Sequence, residues 1–294
     1  MYVCVCIVGR LLAKLAEDWT AVQAVTSLDD DIFVLRADSH YVDVYDPDTL
    51  KRLRRVLIAD LKDPTDITSS TRHLCVYIAD YKGKVIFRLT ADNKLSKWTV
   101  SDGPLGLSVT ANDNLLVTCP TTHRLKEFTF DGRLVREIDI ELNISSNNIW
   151  HAIELSPGEF AISHGGSTDK HHQVCTVNSL GQIGRCYGKL KGSNIGQLEY
   201  PIHLAMAEGS VLVACWKLGR VIQLSRTLSY EATILTRQDG LKGPNMMYYD
   251  AEMQWLYVAD NAEDYLLDMV TGNVKVFQIT ADKPTSIPRG PLTS

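Results

Sequence analysis

Asp66, His151 and His203 are the residues whose types could act together as a chemical site. Each falls within the first three residues of a short alternating apolar run: PTDITSS, WHAIELS and PIHLAMA. An imidazole lone pair and a carboxylate are ligands for a divalent cation, and such a cation polarises a bound substrate. A second group, Asp80, His164, Trp216, Asp260 and Asn261, ends or follows the runs CVYIAD, EFAISH, VLVACW and LYVADN. If those runs lie beside the first set, their ends reach the same opening. A plainer reading takes precedence on residue type alone: Asp80 and Asp260 accept backbone hydrogen bonds in turns, and the histidines are half-buried and satisfied. Nucleophilic chemistry has less to stand on. There is no GxSxG elbow, no GxxxxGK loop and no HExxH, and Cys119 and Cys215 read as buried thiols.

Two basic groups carry a different chemistry. Lys51, Arg52, Arg54 and Arg55 share one run, where alternation sends Arg52 and Arg54 to one side; they either contact RNA phosphate or protect a sheet edge. Lys170, His171, His172, Lys189 and Lys191 fall in long connections, which are candidate recognition surface.

All of these residues are positioned by a repeat. Short runs of period-two alternation recur in sets of four, separated by Asp, Gly, Asn and Ser. The third runs of successive sets begin near Tyr41, Lys84, Arg124, His172, Arg220 and Tyr265, a mean step of about 45 residues. The pattern predicts an all-β chain, a six-bladed β-propeller of four-stranded antiparallel blades over 19–280. Residues 1–18 are an N-terminal extension or closing strand, and 281–294 a flexible tail. Each of the six sets is expected to supply its own four strands, the last one including YLLDMVTG and VKVFQIT. Only RLLAKLAE (10–17) carries a helical pattern. In a propeller the innermost strands start around a central channel, which would gather Asp66, His151 and His203 about a divalent metal or a small molecule.

The 294 residues are 45% hydrophobic and 22% charged, which suits a soluble globular protein and excludes disorder, collagen and coiled coil. The longest apolar run, Met1 to Val8, is too short to span a membrane and lacks the flanks of a secretory signal. A net charge of -5 argues against a surface that tracks phosphate throughout. Seven scattered cysteines without CxxC pairs read as reduced core residues, which points to the cytoplasm. Asn143-Ile144-Ser145 is a formal glycosylation acceptor.

The segment YGKLKGSNIGQLEYPIHLAMAEGSVLVACWKLGRVIQLS resembles an NHL repeat: a Gly-rich turn, G-Q-x-x-x-P, an apolar strand, a V-A-D type strand and an R-V strand. YIADYKGKVIFRL and LYVADN place Asp80 and Asp260 on the same pattern, while Trp216 and Cys119 replace the usual Asp in their blades. The resemblance implies a propeller that serves as an interaction module, presenting one face to a protein or peptide. It is similar to the propeller domains of tripartite-motif proteins, without their ubiquitin-ligase region. The channel residues also loosely resemble the metal-lined channels of propeller lactonases and lyases, which implies a metal-assisted hydrolase or lyase as the alternative. RNA binding by the basic rim is the second alternative.

Overall fold

The computed structural model describes residues 7–18, 20–141, 149–166, 171–264 and 269–281. Strand β1 (Ile7–Asp18) leads the chain. Blade one follows as β2 (Val22–Leu28), β3 (Asp31–Arg36), β4 (Tyr41–Tyr45) and β5 (Arg52–Leu57). Blade two holds β6 (Pro64–Ser70), β7 (Cys75–Asp80), β8 (Val85–Thr90) and β9 (Leu95–Thr99), and blade three β10 (Leu107–Val109), β11 (Leu115–Cys119), β12 (Arg124–Phe128) and β13 (Leu134–Asp139). Blade four holds β14 (Ile149–Ser156), β15 (Glu159–His164), β16 (Gln173–Asn178) and β17 (Ile183–Tyr187). Blade five holds β18 (Pro201–Ala207), β19 (Ser210–Cys215), β20 (Arg220–Leu224) and β21 (Tyr230–Leu235). Blade six is β22 (Pro244–Asp250), β23 (Trp255–Asp264) and β24 (Met269–Ala281), with β1 completing its sheet in the order β1-β24-β23-β22. The chain is a six-bladed β-propeller. Two short 3-10 turns are the helical structure among the described residues, and no helix among them is long and apolar enough to cross a membrane.

Alternation explains why the blades stack. A strand such as β7 is buried along its whole length because both faces of its sheet meet a neighbouring blade. The apolar clusters accordingly straddle blades: Tyr77, Ile86, Leu107 and Val117 join blades two and three, while Leu212, Ala214, Leu256 and Phe277 join five and six. First strands β2, β6, β10, β14, β18 and β22 touch in cyclic order and form the wall of the channel.

The last blade departs from the expectation. YLLDMVTG and VKVFQIT do not make separate strands: β24 pairs with β23 without a break from Met269↔Asp264 to Gln278↔Trp255, so no turn separates them. The fourth place is filled by β1, which runs antiparallel to β24 from Ile7↔Ala281 to Asp18↔Gly272. RLLAKLAE is therefore strand and not helix, because pairing with the open edge of β24 satisfies its backbone groups. Residues 1–6, the acceptor Asn143-Ile144-Ser145, Lys170 and the tail after Ala281 lie outside the described residues.

Candidate functional site

A small irregularity aims the channel side chains. The first strands of five blades carry a register shift at their start, at Val22/Ala24, Pro64/Asp66, Ile149/His151, Pro201/His203 and Pro244/Met247. A bulge turns the residue after it, and here that turn brings Asp66, His151 and His203 together from three blades. One ligand atom from each lies within 4.8 Å of the others. Their exposures are 1%, 1% and 6%.

Hydrogen bonds between blades fix the cluster. Asp66 Oδ1 accepts the Ile67 amide (2.8 Å) and Oδ2 accepts the Leu107 amide (2.7 Å). His151 Nε2 contacts the Leu107 carbonyl at 3.0 Å and stands 3.7 Å from Asp66 Oδ2. The Met247 amide donates to His203 Nδ1 at 3.3 Å, and the two imidazole centroids are 3.8 Å apart. Gly106 leaves room for this packing: a Cβ there would fall 2.8 Å from His151 Cδ2 and 2.7 Å from the Trp150 carbonyl. Burial pushes the Asp66 carboxyl up to about 8 against the pull of its two amides, and His151 down to about 4. His203 is held well below its ordinary value by burial and then by His151. Both imidazoles are therefore neutral at pH 7 and offer lone pairs. His151 and His203 border a cavity of about 180 Å³ that also reaches Ser108, Glu154 and Tyr248.

The other sequence candidates lie elsewhere. Asp80 accepts the amides of Lys62, Asp63 and Gly83, each at 2.9 Å, and holds the turn before β6. Asp260 accepts the Lys242 amide (2.8 Å) and the Gly243 amide (2.9 Å) before β22, and its charge is met by the buried Lys275 ammonium at 2.5 Å. Asn261 joins blade six to blade one, accepting the Val22 amide and donating to the Val22 carbonyl, both at 3.0 Å. His164 is buried with Nε2 3.5 Å from Cys175 Sγ. None of these four lines the channel cavity.

Trp216 belongs to a separate pocket of about 310 Å³ between blades five and six, with Lys217, Arg237, Lys242 and Gly243 in its wall. The Lys217 ammonium sits 4.6 Å from the indole centroid, and Tyr200 meets the indole edge-on at 5.5 Å. Lys191 lies 5.7 Å from the Tyr200 ring and also pairs with Glu199 at 3.1 Å. Gly243 permits the close wall, since a Cβ would stand 2.9 Å from Trp216 Cδ1. Among the described residues, no Asp or Glu lines this pocket. The sequence singled out Trp216, as a channel residue, and Lys191, in a long connection; it did not single out Lys217, Arg237 and Lys242, whose only signal is that turns bring them beside an aromatic.

Among the outer-strand cations, Arg54 pairs with Asp31 at 2.7 Å, while Arg55 and Arg52 both reach Asp43, at 2.7 and 3.7 Å. Asp31 thus offsets Arg54, while the single carboxylate of Asp43 is shared by Arg52, Arg55 and the buried Arg36 at 3.2 Å, and Lys51 is exposed beside them.

The cysteines also differ from expectation. Cys75, Cys119 and Cys215 are buried free thiols, but Cys175 is joined to Cys186. The two stand directly opposite in β16 and β17, and strand pairing alone places their sulfurs in contact.

No family model and no curated protein matches this sequence. Solved structures match its fold. A chain of Kuenenia stuttgartiensis hydrazine synthase is similar over 90% of this chain and 97% of its own, at 13% identity and a TM-score of 0.61. A catalytically inactive virginiamycin B lyase from Staphylococcus aureus with quinupristin covers 94% of this chain and 99% of its own, at 10% identity and 0.61. A Bacteroides caccae protein of unknown function covers 81% and 88%, at 14% identity and 0.62. The likeness is one of fold.

Proposed function

We propose that this chain is an NHL-like interaction module, and that its partner is a protein segment in which acidic residues flank an aromatic or aliphatic anchor. The observation that carries the reading is the pocket between blades five and six: Trp216 beside Lys217, Arg237 and Lys242, with no carboxylate in its wall among the described residues. An indole offers a large rigid contact at small entropic cost, and three cations around it favour an acidic ligand and disfavour a basic one. The pocket lies where the ends of β19 and β23 meet the turn before β22, so rigid strands hold its shape while the connections supply its chemistry. A small pocket with one indole suits a peptide anchor better than a run of stacked bases, which needs several aromatic platforms along a basic groove.

Selection of random peptides displayed on phage, run in parallel on the wild type and on Lys217→Glu/Arg237→Glu, tests the reading. The wild type is expected to enrich acidic sequences around a hydrophobic residue, with affinities that fall at high salt and drop at least about tenfold in the variant. Enrichment that ignores the charge reversal, or binding of single-stranded RNA in preference to any peptide, overturns it.

A further inference from the structure

The channel holds a group of residues that peptide recognition at the Trp216 pocket does not use. Asp66, His151 and His203 come from three blades, each is more than nine-tenths buried, and one ligand atom from each lies within 4.8 Å of the others. Ligands about 2.1 Å from a tetrahedral zinc stand about 3.4 Å apart, so side-chain motion of about an ångström closes the set on an ion.

Two further observations point to a ligand. First, His151 Nδ1 is buried and has no hydrogen-bond partner, whereas Nε2 is bonded to the Leu107 carbonyl. Coordination through Nδ1 would leave Nε2 donating to an outer carbonyl, as in metal-binding imidazoles; coordination through Nε2, the nitrogen 3.7 Å from Asp66 Oδ2, would move the proton to Nδ1 and give up the Leu107 contact. An orphaned buried acceptor otherwise carries an uncompensated desolvation cost. Second, among the described residues the wall of the cavity beside His151 and His203 contains no Lys or Arg and adds a second carboxylate, Glu154, which favours a cation there. Asp66 already has both oxygens oriented by amides, and once an incoming cation displaces its proton each carboxylate oxygen keeps a lone pair. Coordination through His203 Nε2 would move that ring's proton to Nδ1 and give up the contact with the Met247 amide, which at 3.3 Å is the longest bond in the set.

We infer that Asp66, His151 and His203 form a binding site for a divalent transition metal, with two imidazoles and one carboxylate as ligands and the remaining coordination directed to the channel cavity. Two nitrogens and one oxygen suit zinc or ferrous iron and disfavour calcium or magnesium, which take oxygen donors.

The test uses the full chain stripped with EDTA, with zinc as the probe and calorimetry, thermal melting and 15N histidine spectra as readouts. One equivalent of zinc is expected to bind and to raise the melting midpoint. The His151 and His203 nitrogen signals should shift, and a histidine ligand lost in His151→Ala or His203→Ala should weaken affinity more than about tenfold. Circular dichroism shows whether either variant folds; the wild-type histidine shifts decide the matter without a variant. Failure of zinc and ferrous iron alike to bind the stripped wild type overturns the inference, as do unshifted His151 and His203 signals on saturation, which would mean an adventitious ion only. Peptide selection at the Trp216 pocket is read separately and succeeds or fails independently.

Discussion

Cys119 and Cys215 end the second strands of blades three and five, and burial pushes both thiols up to about 12. The thiolate is the reactive form, so raising the pH from about 8 to about 9.5 activates an ordinary thiol and leaves these two inert. We expect iodoacetamide to spare Cys119 and Cys215 in the native protein across that range and to label both in urea, as read by peptide mass mapping. Native labelling of Cys119 or Cys215 at the unfolded rate would mean that the strand ends open. These cysteines were legible in the sequence because each sits in an alternating apolar run. Cys175 was not: it occupies the same kind of run, and only the register of β16 against β17 sets Cys186 opposite it. The channel cluster was legible through its place at the start of the first strands. Asp80 and Asp260 shared a motif whose role is the capping of turns, so a polar residue at a strand end did not separate structure from ligand binding.

At the scale of elements, β1 is the informative strand. Its spacing of Leu11, Leu12 and Leu15 suits a helix turn, yet Leu15 pairs with Val274 and is buried in the blade. Pairing between distant segments overrides local pattern, and no window of sequence contains the β24 edge that β1 covers. Removal of residues 1–18 uncovers that edge. The expected result is a melting midpoint lowered by more than about 5 °C, or association of the truncated chain through β24. An unchanged midpoint with monomeric elution would show that the ring holds without β1. The remaining strands were readable because alternation, turn residues and the blade repeat agreed at each position.

For the whole molecule, the decisive place is the seam between blade six and blade one. Asn261 spans it with two hydrogen bonds to Val22, and Asn245 adds a third to the Gln23 carbonyl at 3.0 Å. Asn261→Ala leaves a buried amide and carbonyl of Val22 without partners, and we expect a loss of about 2–4 kcal/mol in urea unfolding. A loss under about 0.5 kcal/mol would place closure in the apolar contacts alone. Because the apolar clusters bridge neighbouring blades, the transition should remain single in the wild type. The pairing of β1 with β24 also has a mechanical meaning. Ile7 lies opposite Ala281, so the two strands enter and leave the ring side by side. Tension applied through them reaches the ladder at one end and parts its rungs in turn, like a zip fastener, whereas a parallel arrangement would load every rung at once. The ring that closes through β1 and β24 is therefore built to peel open under a pull.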